Sequence, residues 1–503
     1  MTDDALFPPE WADRDALIIE PSGVRVTFGE LESRSNAIAH LLRARGLMSG
    51  STIALLMENR ADFLVISWAA QRAGLYYVGV NSHLTAPETE YILRDSGAAA
   101  LFTSAALLDT ADAAAPAVPH RFVVDPFGER SGWEELDAVL GEFPTNPIPD
   151  QREGDFLLYS SGTTGRPKGI QRPLPGGPLG SYPDPPGRWL RELLGFQARD
   201  VYLCPAPLYH AAPLGWSMGV HRSGGTVVVL ERFDAERALD VIQRHRVTHS
   251  QWVPTMFVRM LKLAPEIRDR YDISSLRMAI HSAAPCPVEV KRAMIEWWGP
   301  IFFEFYSSTE GMGATAIFSE EWLRKPGSVG RPLLGRPLIL DDDGRELPTG
   351  EIGTVWFDGG TSFRYRGDPG RSAAVVDSSG RATVGDLGYL DEDGYLFLSD
   401  RRTDLIISGG VNIYPREIED VLILHPAVLD VAVIGLPDPD LGRRVVAVIQ
   451  PTESGAVEVD ELLEHCRTRL ARYKVPREIR FTEQLPRTPT GKLRKHLISD
   501  EPS

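Results

Sequence analysis

Apolar positions along this chain keep two periods by turns. Val26-Thr27-Phe28-Gly29-Glu30-Leu31 opens a stretch where Leu31, Ala37, Ile38, Leu41 and Leu42 recur at a helical period. Thr27, with Glu30 three residues later, is the signature of a helix N-cap with its capping box. Ser51–Met57 (STIALLM) then reads as a strand, Ala98–Thr103 as another, and the Ala-rich residues 97–119 as strand, helix and connection. Further strands are expected at Val201–Cys204, Thr226–Leu230, Val247–Val253, Met278–His281 and Ile301–Phe305. Strand and helix alternating in this way predict parallel α/β layers. The longest apolar stretch, Phe63–Val80, is interrupted by Gln71 and Arg72, so it is expected in a core and not across a membrane.

The pattern changes near the end. After Asp400–Asp404 (DRRTD), a helix Pro415–Leu424, strands Val428–Ile434 and Val445–Ile449 and a helix near Val459–Leu470 predict a small α+β unit. A chain of 503 residues is too long for one core. The expected division is residues 1–400 as a large multi-layer α/β domain and 401–503 as a small mobile one, with a hinge at about 400–404. Asp341–Gly344 and Asp391–Gly394 resemble calcium loops at a glance, but lack the twelve-residue ligand spacing and read as hairpin turns. His245 and His249 are four apart, yet Val247–Val253 reads as a strand and the Glu of a zinc hydrolase is missing, so no metal is expected there.

Composition narrows the function classes. Lys+Arg 53 against Asp+Glu 69 gives −16, which argues against nucleic acid or an anionic membrane surface as partner. Three cysteines without a CxxC, and an N-terminus without an apolar h-region, fit a reducing cytoplasm.

The most informative stretch is Asp155–Gly169, DFLLYSSGTTGRPKG. Phe156–Tyr159 reads as a buried strand, followed by residues drawn almost wholly from Ser, Thr, Gly and Pro. Gly162, Gly165 and Gly169 let backbone N–H groups approach an anion. Ser160, Ser161, Thr163 and Thr164 add hydroxyl donors and Lys168 a point charge, which together suit a polyphosphate. The Walker pattern needs Ser or Thr after the Lys to hold magnesium; Gly169 stands there, so a metal ligand must come from elsewhere. A long Pro/Gly-rich segment, residues 171–187, follows and reads either as a lid or as a surface excursion.

This loop, with PLYHAAP, YSSTEG, TVGDLGY, DRRTD, GGVNIYP and PRTPTGKLRKH in that order, resembles the motifs of the adenylate-forming superfamily of acyl-CoA synthetases, peptide-synthetase adenylation domains and luciferases. The resemblance covers about residues 25 to 497. It implies a large N-terminal and a small C-terminal domain, with ATP, Mg²⁺ and CoA as cofactor and co-substrates. It assigns catalysis to Lys492, His210, Thr309 and Glu310, Glu310 also being the metal ligand. It assigns adenine and ribose to Ser282, Ala283, Ala284, Pro285, Glu304, Phe305, Tyr306, Asp386 and Arg401. The acyl pocket would hold His210, Ala211, Trp216 and His281; the CoA channel, Gly409, Gly410 and Val411. Thr403 stands at the hinge position, where the superfamily usually has Lys or Asp, and Ser307 where it usually has Gly.

Within the superfamily, AIHSAAPCPVEVKRAMIEWWGP and VYLCPAPLYHAAP resemble bacterial ligases for fatty, steroid-side-chain or bile-type acids. PLYHAAP has no acidic residue to pair with a substrate ammonium, which disfavours amino acids. The expected function is ligation of a hydrophobic carboxylic acid to CoA through an acyl-adenylate. The rivals are an adenylating-only enzyme serving a downstream acyl acceptor or carrier protein, a luciferase-like oxygenase, and a non-catalytic nucleotide-binding protein. A homodimer is a candidate assembly.

Overall fold

The computed structural model describes residues 5–160, 167–181, 185–360, 363–401, 403–452, 457–487 and 493–498. The chain divides into two compact units, each discontinuous in sequence: Met1–Gln251 with Asp272–Met278 and Ser362–Ser372, and Trp252–Tyr271 with Ala279–Thr361 and Ala373–Ser503. Both mix helices with strands; the parallel layers that the alternating periods predict form in the first unit, whereas the main sheet of the second is mostly antiparallel.

In the first unit a six-stranded sheet orders Glu134–Glu135, His120–Val123, Ala98–Thr103, Thr52–Leu56, Tyr76–Val80 and Asp155–Phe156, every neighbouring pair parallel. A parallel sheet is covered on both faces. Thr52–Leu56 is accordingly buried along its whole length. A second sheet orders Val201–Cys204, Thr226–Leu230, Asp15–Glu20 and Arg25–Thr27, with His249 and Ser250 paired to Tyr202 and Leu203. Helix Phe28–Ala44 begins at the expected cap: Glu30 N donates to Thr27 Oγ1 at 3.2 Å, and Thr27 N to Glu30 Oε2 at 2.8 Å. The stretch Phe63–Val80 forms helix Ala61–Arg72 and strand Tyr76–Val80, both in the core. Among the described residues no helix is long and apolar enough to cross a membrane.

The second unit holds a mostly antiparallel sheet that runs Arg336–Leu340, Gly353–Asp358, Asp386–Leu390, Leu396–Arg401, Ser328–Leu334, Ala314–Phe318, Phe302–Ser307 and Met278–His281. The two Asp-rich segments are turns, as expected: Gly344 N donates to Asp341 O, and Gly394 N to Asp391 O.

Its C-terminal part is a small three-stranded sheet, Val428–Asp438, Gly442–Pro451 and Glu478–Phe481. Helices Pro415–Leu422 and Val459–Arg467 cover one face, burying Ile418, Leu422, Leu462 and Cys466 against Val431, Val433 and Ala447. The other face, with Ala432, Ile434, Val446 and Val448, is covered by Leu485, Leu493 and Ile498. The strand Glu478–Phe481 has no counterpart in the sequence reading, because four residues with one buried side chain carry little periodic signal.

Candidate functional site

The phosphate-loop candidates sit at the base of a hairpin in the first unit. The run Phe156–Tyr159, expected as one strand, is split at Leu157. Asp155 and Phe156 pair in parallel with Tyr76 and Tyr77, and Leu157 N donates to Tyr77 O at 3.0 Å. Leu158–Ser160 then changes partner and runs antiparallel to Lys168–Gln171, which puts Ser160 directly opposite Lys168. The ladder thus closes the loop at both ends. Ser161, Gly162, Thr163, Thr164 and Gly165 lie outside the described residues, as does Lys492.

Arg364–Tyr365 adds a third strand; Lys168 Nζ lies 5.3 Å from the Tyr365 ring centroid, and Arg366 N donates to Gly169 O at 2.8 Å. A Cβ on Gly169 would stand 3.1 Å from the Tyr159 hydroxyl and 3.3 Å from Arg366 Cβ, so glycine allows this crowding as well as an approach to an anion. Tyr159 in turn donates to Asp95 Oδ2 at 2.5 Å.

Of the acyl-pocket candidates, His210 stands at the N-cap of helix Ala211–Arg222, with its ring 4.6 Å from that of Tyr209. Trp216 is buried on that helix, 6.2 Å from Trp189 of helix Pro185–Glu192. The Pro/Gly-rich segment before that helix is tied to the core by Glu153. This carboxylate accepts from Gly180 N at 2.6 Å and from Arg222 Nη1 and Nη2 at 3.2 and 2.9 Å, while Glu153 N donates to Gly177 O.

The second unit brings the nucleotide candidates onto neighbouring strands. Tyr306 Oη donates to Asp386 Oδ2 at 2.6 Å, and Asp386 is paired with Arg401 in the ladder. Ser282, Ala283, Ala284 and Pro285 form the turn after strand Met278–His281, where Ala283 has φ +75°. A non-glycine residue in that region carries strain, and such strain gathers at functional sites. Thr309 and Glu310 lie in a turn, not at a helix start; Gly311 N donates to Ser308 O, and Glu310 is buried. Phe305 lies beside them on strand Phe302–Ser307.

Glu304 and His281 belong to a buried cluster that sequence reasoning did not find. Lys291 Nζ is 2.5 Å from Glu304 Oε2 and 4.8 Å from the Trp322 ring centroid, and His281 Nε2 is 3.6 Å from the same carboxylate oxygen. Burial drives the His281 pKa down to about 3, against the pull of Glu304, so the ring is neutral. Neither of its nitrogens has a hydrogen-bond partner among the described residues. Glu304 is held below the usual carboxylate range: its burial is outweighed chiefly by the Lys291 ammonium. A signal existed in the sequence. Val290, Lys291, Met294, Ile295 and Trp298 make one helical stripe, and a lysine on such a stripe needs a buried anion.

Gly409 and Gly410 link the hairpin Ile406–Ser408 and Val411–Ile413 with φ +57° and +81°, conformations that favour glycine. Beside them a cleft of about 480 Å³ is lined by Thr403, Leu405, Ile407, Gly442 and Arg443. No group of three or more His, Cys, Asp or Glu able to hold a metal occurs among the described residues. His245 ends a helix and pairs with Glu20, whereas His249 lies on a strand with its Nε2 at Leu194 O, so those two histidines do not form a site.

Residues 8–365 match the AMP-binding enzyme family, and residues 417–492 the AMP-binding enzyme C-terminal domain. The long-chain-fatty-acid–CoA ligase FadD13 of Mycobacterium tuberculosis is 34% identical over 490 residues, 96% of this chain and 94% of the relative. A feruloyl-CoA synthase of an Amycolatopsis species is 35% identical over 488 residues, 95% of this chain and 94% of the relative. The ATP-bound MatB of Rhodopseudomonas palustris superposes with a TM-score of 0.82 at 29% identity, covering 98% of this chain and 96% of that one.

Proposed function

The chain belongs to the AMP-binding enzyme family and is an AMP-forming carboxylate–CoA ligase of the adenylate-forming superfamily, and on that premise we propose that it activates a bulky or medium-to-long hydrophobic acid. The observation that carries the nucleotide part is the Tyr306–Asp386 hydrogen bond with Arg401 in register beside it. A carboxylate on a strand end accepts well from a ribose diol, and an aromatic face suits adenine.

The proposed chemistry has two steps. The acid's carboxylate oxygen attacks the α-phosphorus of ATP, the bond to the leaving pyrophosphate breaks, and an acyl-adenylate forms. The CoA sulfur then attacks its carbonyl, the thiol proton leaves, and AMP departs. Ser160–Gly165 and Lys168 hold the phosphates, and Lys492 bridges the carboxylate and α-phosphate oxygens. Two anions must meet in this step, and fixed cations lower that barrier. Thr309 contacts phosphate. Glu310, the buried carboxylate nearest in sequence to that threonine, fits as the main protein ligand of a magnesium ion, which would neutralise phosphate charge.

His210 orients the acid beside Ala211, Trp216 and His281. Gly409, Gly410 and Val411 line the approach of CoA. Residues 1–400 and 401–503 act as domains that turn about Thr403 between the steps, because Lys492 and the glycine pair serve the same carbonyl in turn. Three buried free thiols, Cys204, Cys286 and Cys466, suit a cytoplasmic setting.

A panel of acids scored for pyrophosphate release, then for thioester with CoA, tests the reading. Bulky hydrophobic acids should exceed acetate and amino acids in kcat/KM; the reverse order overturns the proposed substrate. Pyrophosphate release without thioester would leave the adenylating-only enzyme in its place.

A further inference from the structure

We propose that Lys495 and Arg487 are positioning residues that anchor the chain on either side of residues 488–492 and so place Lys492, with Lys495 tying the following leg to the first helix of the small domain. The inference rests on the reading of Lys492 as the adenylation lysine.

Residues 487 and 493, on either side of the segment 488–492, face each other in an antiparallel bridge, and Arg494 N donates to Pro486 O at 2.8 Å. Main-chain pairing therefore joins the two flanks of that segment. The leg before it is fixed by Arg487, whose guanidinium grips Asp430 on strand Val428–Asp438 through two bonds, Nη2 to Oδ1 at 2.7 Å and Nε to Oδ2. A two-point guanidinium–carboxylate contact fixes direction as well as distance. The leg after it is fixed by Lys495, whose Nζ lies 2.8 Å from Glu419 Oε1 with only 15% and 19% of the two side chains exposed. That carboxylate oxygen also accepts from Val433 N at 2.7 Å, so the anchor is tied to the sheet as well as to helix Pro415–Leu422. Leu493 and Ile498 add apolar packing on the sheet face.

The second pin has a further property. Burial works against the charge on Lys495, but Glu419 together with the field of Asp400 and Asp404, the acids on either side of Thr403, outweighs it and keeps the ammonium charged. Asp400 in turn accepts from Arg416 N at 3.2 Å at the start of the helix that carries Glu419. One lysine, three residues past Lys492, therefore ties the segment after it to the first helix of the small domain, whose first turn is itself bonded to Asp400. A catalytic ammonium must be placed closely at the transition state, and an error of about 1 Å costs on the order of 10²-fold in rate.

The test separates the half-reactions. In Lys495→Met, the rate of acid-dependent ATP–pyrophosphate exchange should fall about 10²-fold at saturating ATP and acid. Thioester formation from supplied acyl-adenylate and CoA should stay within about threefold. Lys495→Arg should keep most exchange activity, and the swap Lys495→Glu with Glu419→Lys should recover about tenfold over Lys495→Met. Unchanged exchange in Lys495→Met overturns the proposal. So does an equal fall in both half-reactions with a lowered unfolding midpoint, which would mark a merely structural pair. Lys492→Ala is the control. If it retains exchange, the catalytic reading fails and takes this inference with it; if it abolishes exchange while Lys495→Met does not, only the inference falls.

Discussion

The two units treat a buried histidine in opposite ways. In the first, His221 is fully satisfied: Trp68 Nε1 donates to its Nδ1 at 3.0 Å, and its Nε2 donates to Ala16 O at 3.0 Å. In the second, His281 is equally buried but has neither nitrogen bonded among the described residues, with Phe257 5.5 Å and Phe302 6.4 Å away. The same contrast holds for carboxylates. Glu153 accepts from Arg222, Gln71 and Gly180 N, whereas Glu304 has Lys291 on one side and only the unbonded ring of His281 on the other. A buried polar group with all its bonds made specifies the fold; one left without partners is a cost that the fold alone does not explain. The difference is between a ring that ties two elements together and one that packs among aromatic side chains beside an ion pair.

Arg222→Met should show the largest effect. It leaves Glu153 buried without its cation and should cost about 3–5 kcal/mol in denaturant unfolding. His221→Phe comes next, at about 2–4 kcal/mol, because the Trp68 N–H and the Ala16 carbonyl both lose their partner. His281→Leu should change stability at pH 7.5 by less than about 1 kcal/mol, since it removes no bond. A loss there as large as in His221→Phe would erase the contrast. Activity of His281→Leu sharpens it: a raised KM for the acid with an unchanged unfolding midpoint would tie the unbonded ring to substrate.

Acid offers a fourth test. Burial lowers the pKa of His221 and His249 to about 4 and that of His281 to about 3. The unfolded chain then takes up protons near pH 6.5 that the folded chain refuses. Stability from these residues is complete above pH 6.5 and is lost as pH falls towards 4, by up to about 1.4 kcal/mol per unit for each histidine. The fall should be shallower in His281→Leu. An identical pH profile for that variant and the parent would show that the ring titrates in the folded chain as it does in the unfolded one.

Much of the fold was legible because local rules and tertiary packing agreed. The cap at Thr27, the strand Thr52–Leu56 and the turns at Gly344 and Gly394 follow from spacing alone. The break at Leu157 was not legible: the residue is apolar and fits a strand, and only the change of partner from Tyr77 to Lys168–Ile170 divides the run. Sequence order placed Tyr306, Asp386 and Arg401 in three separate motifs, and only the ladder shows that they meet. The Lys291–Glu304–His281 cluster was hidden for a related reason. Its members lie on a helix and two strands, so no period joins them.

The double-faced sheet of the small domain has a consequence for biosynthesis. Its second apolar face is covered by Leu485, Leu493 and Ile498, in the same segment that carries Lys492. A chain cut at residue 484 would lack Lys492, the residue proposed above for adenylation, and would also expose Ala432, Ile434, Val446 and Val448. Such a face invites aggregation and clearance. Copies truncated there would then be removed before they could accumulate, so the segment that carries Lys492 also guards the sheet it covers.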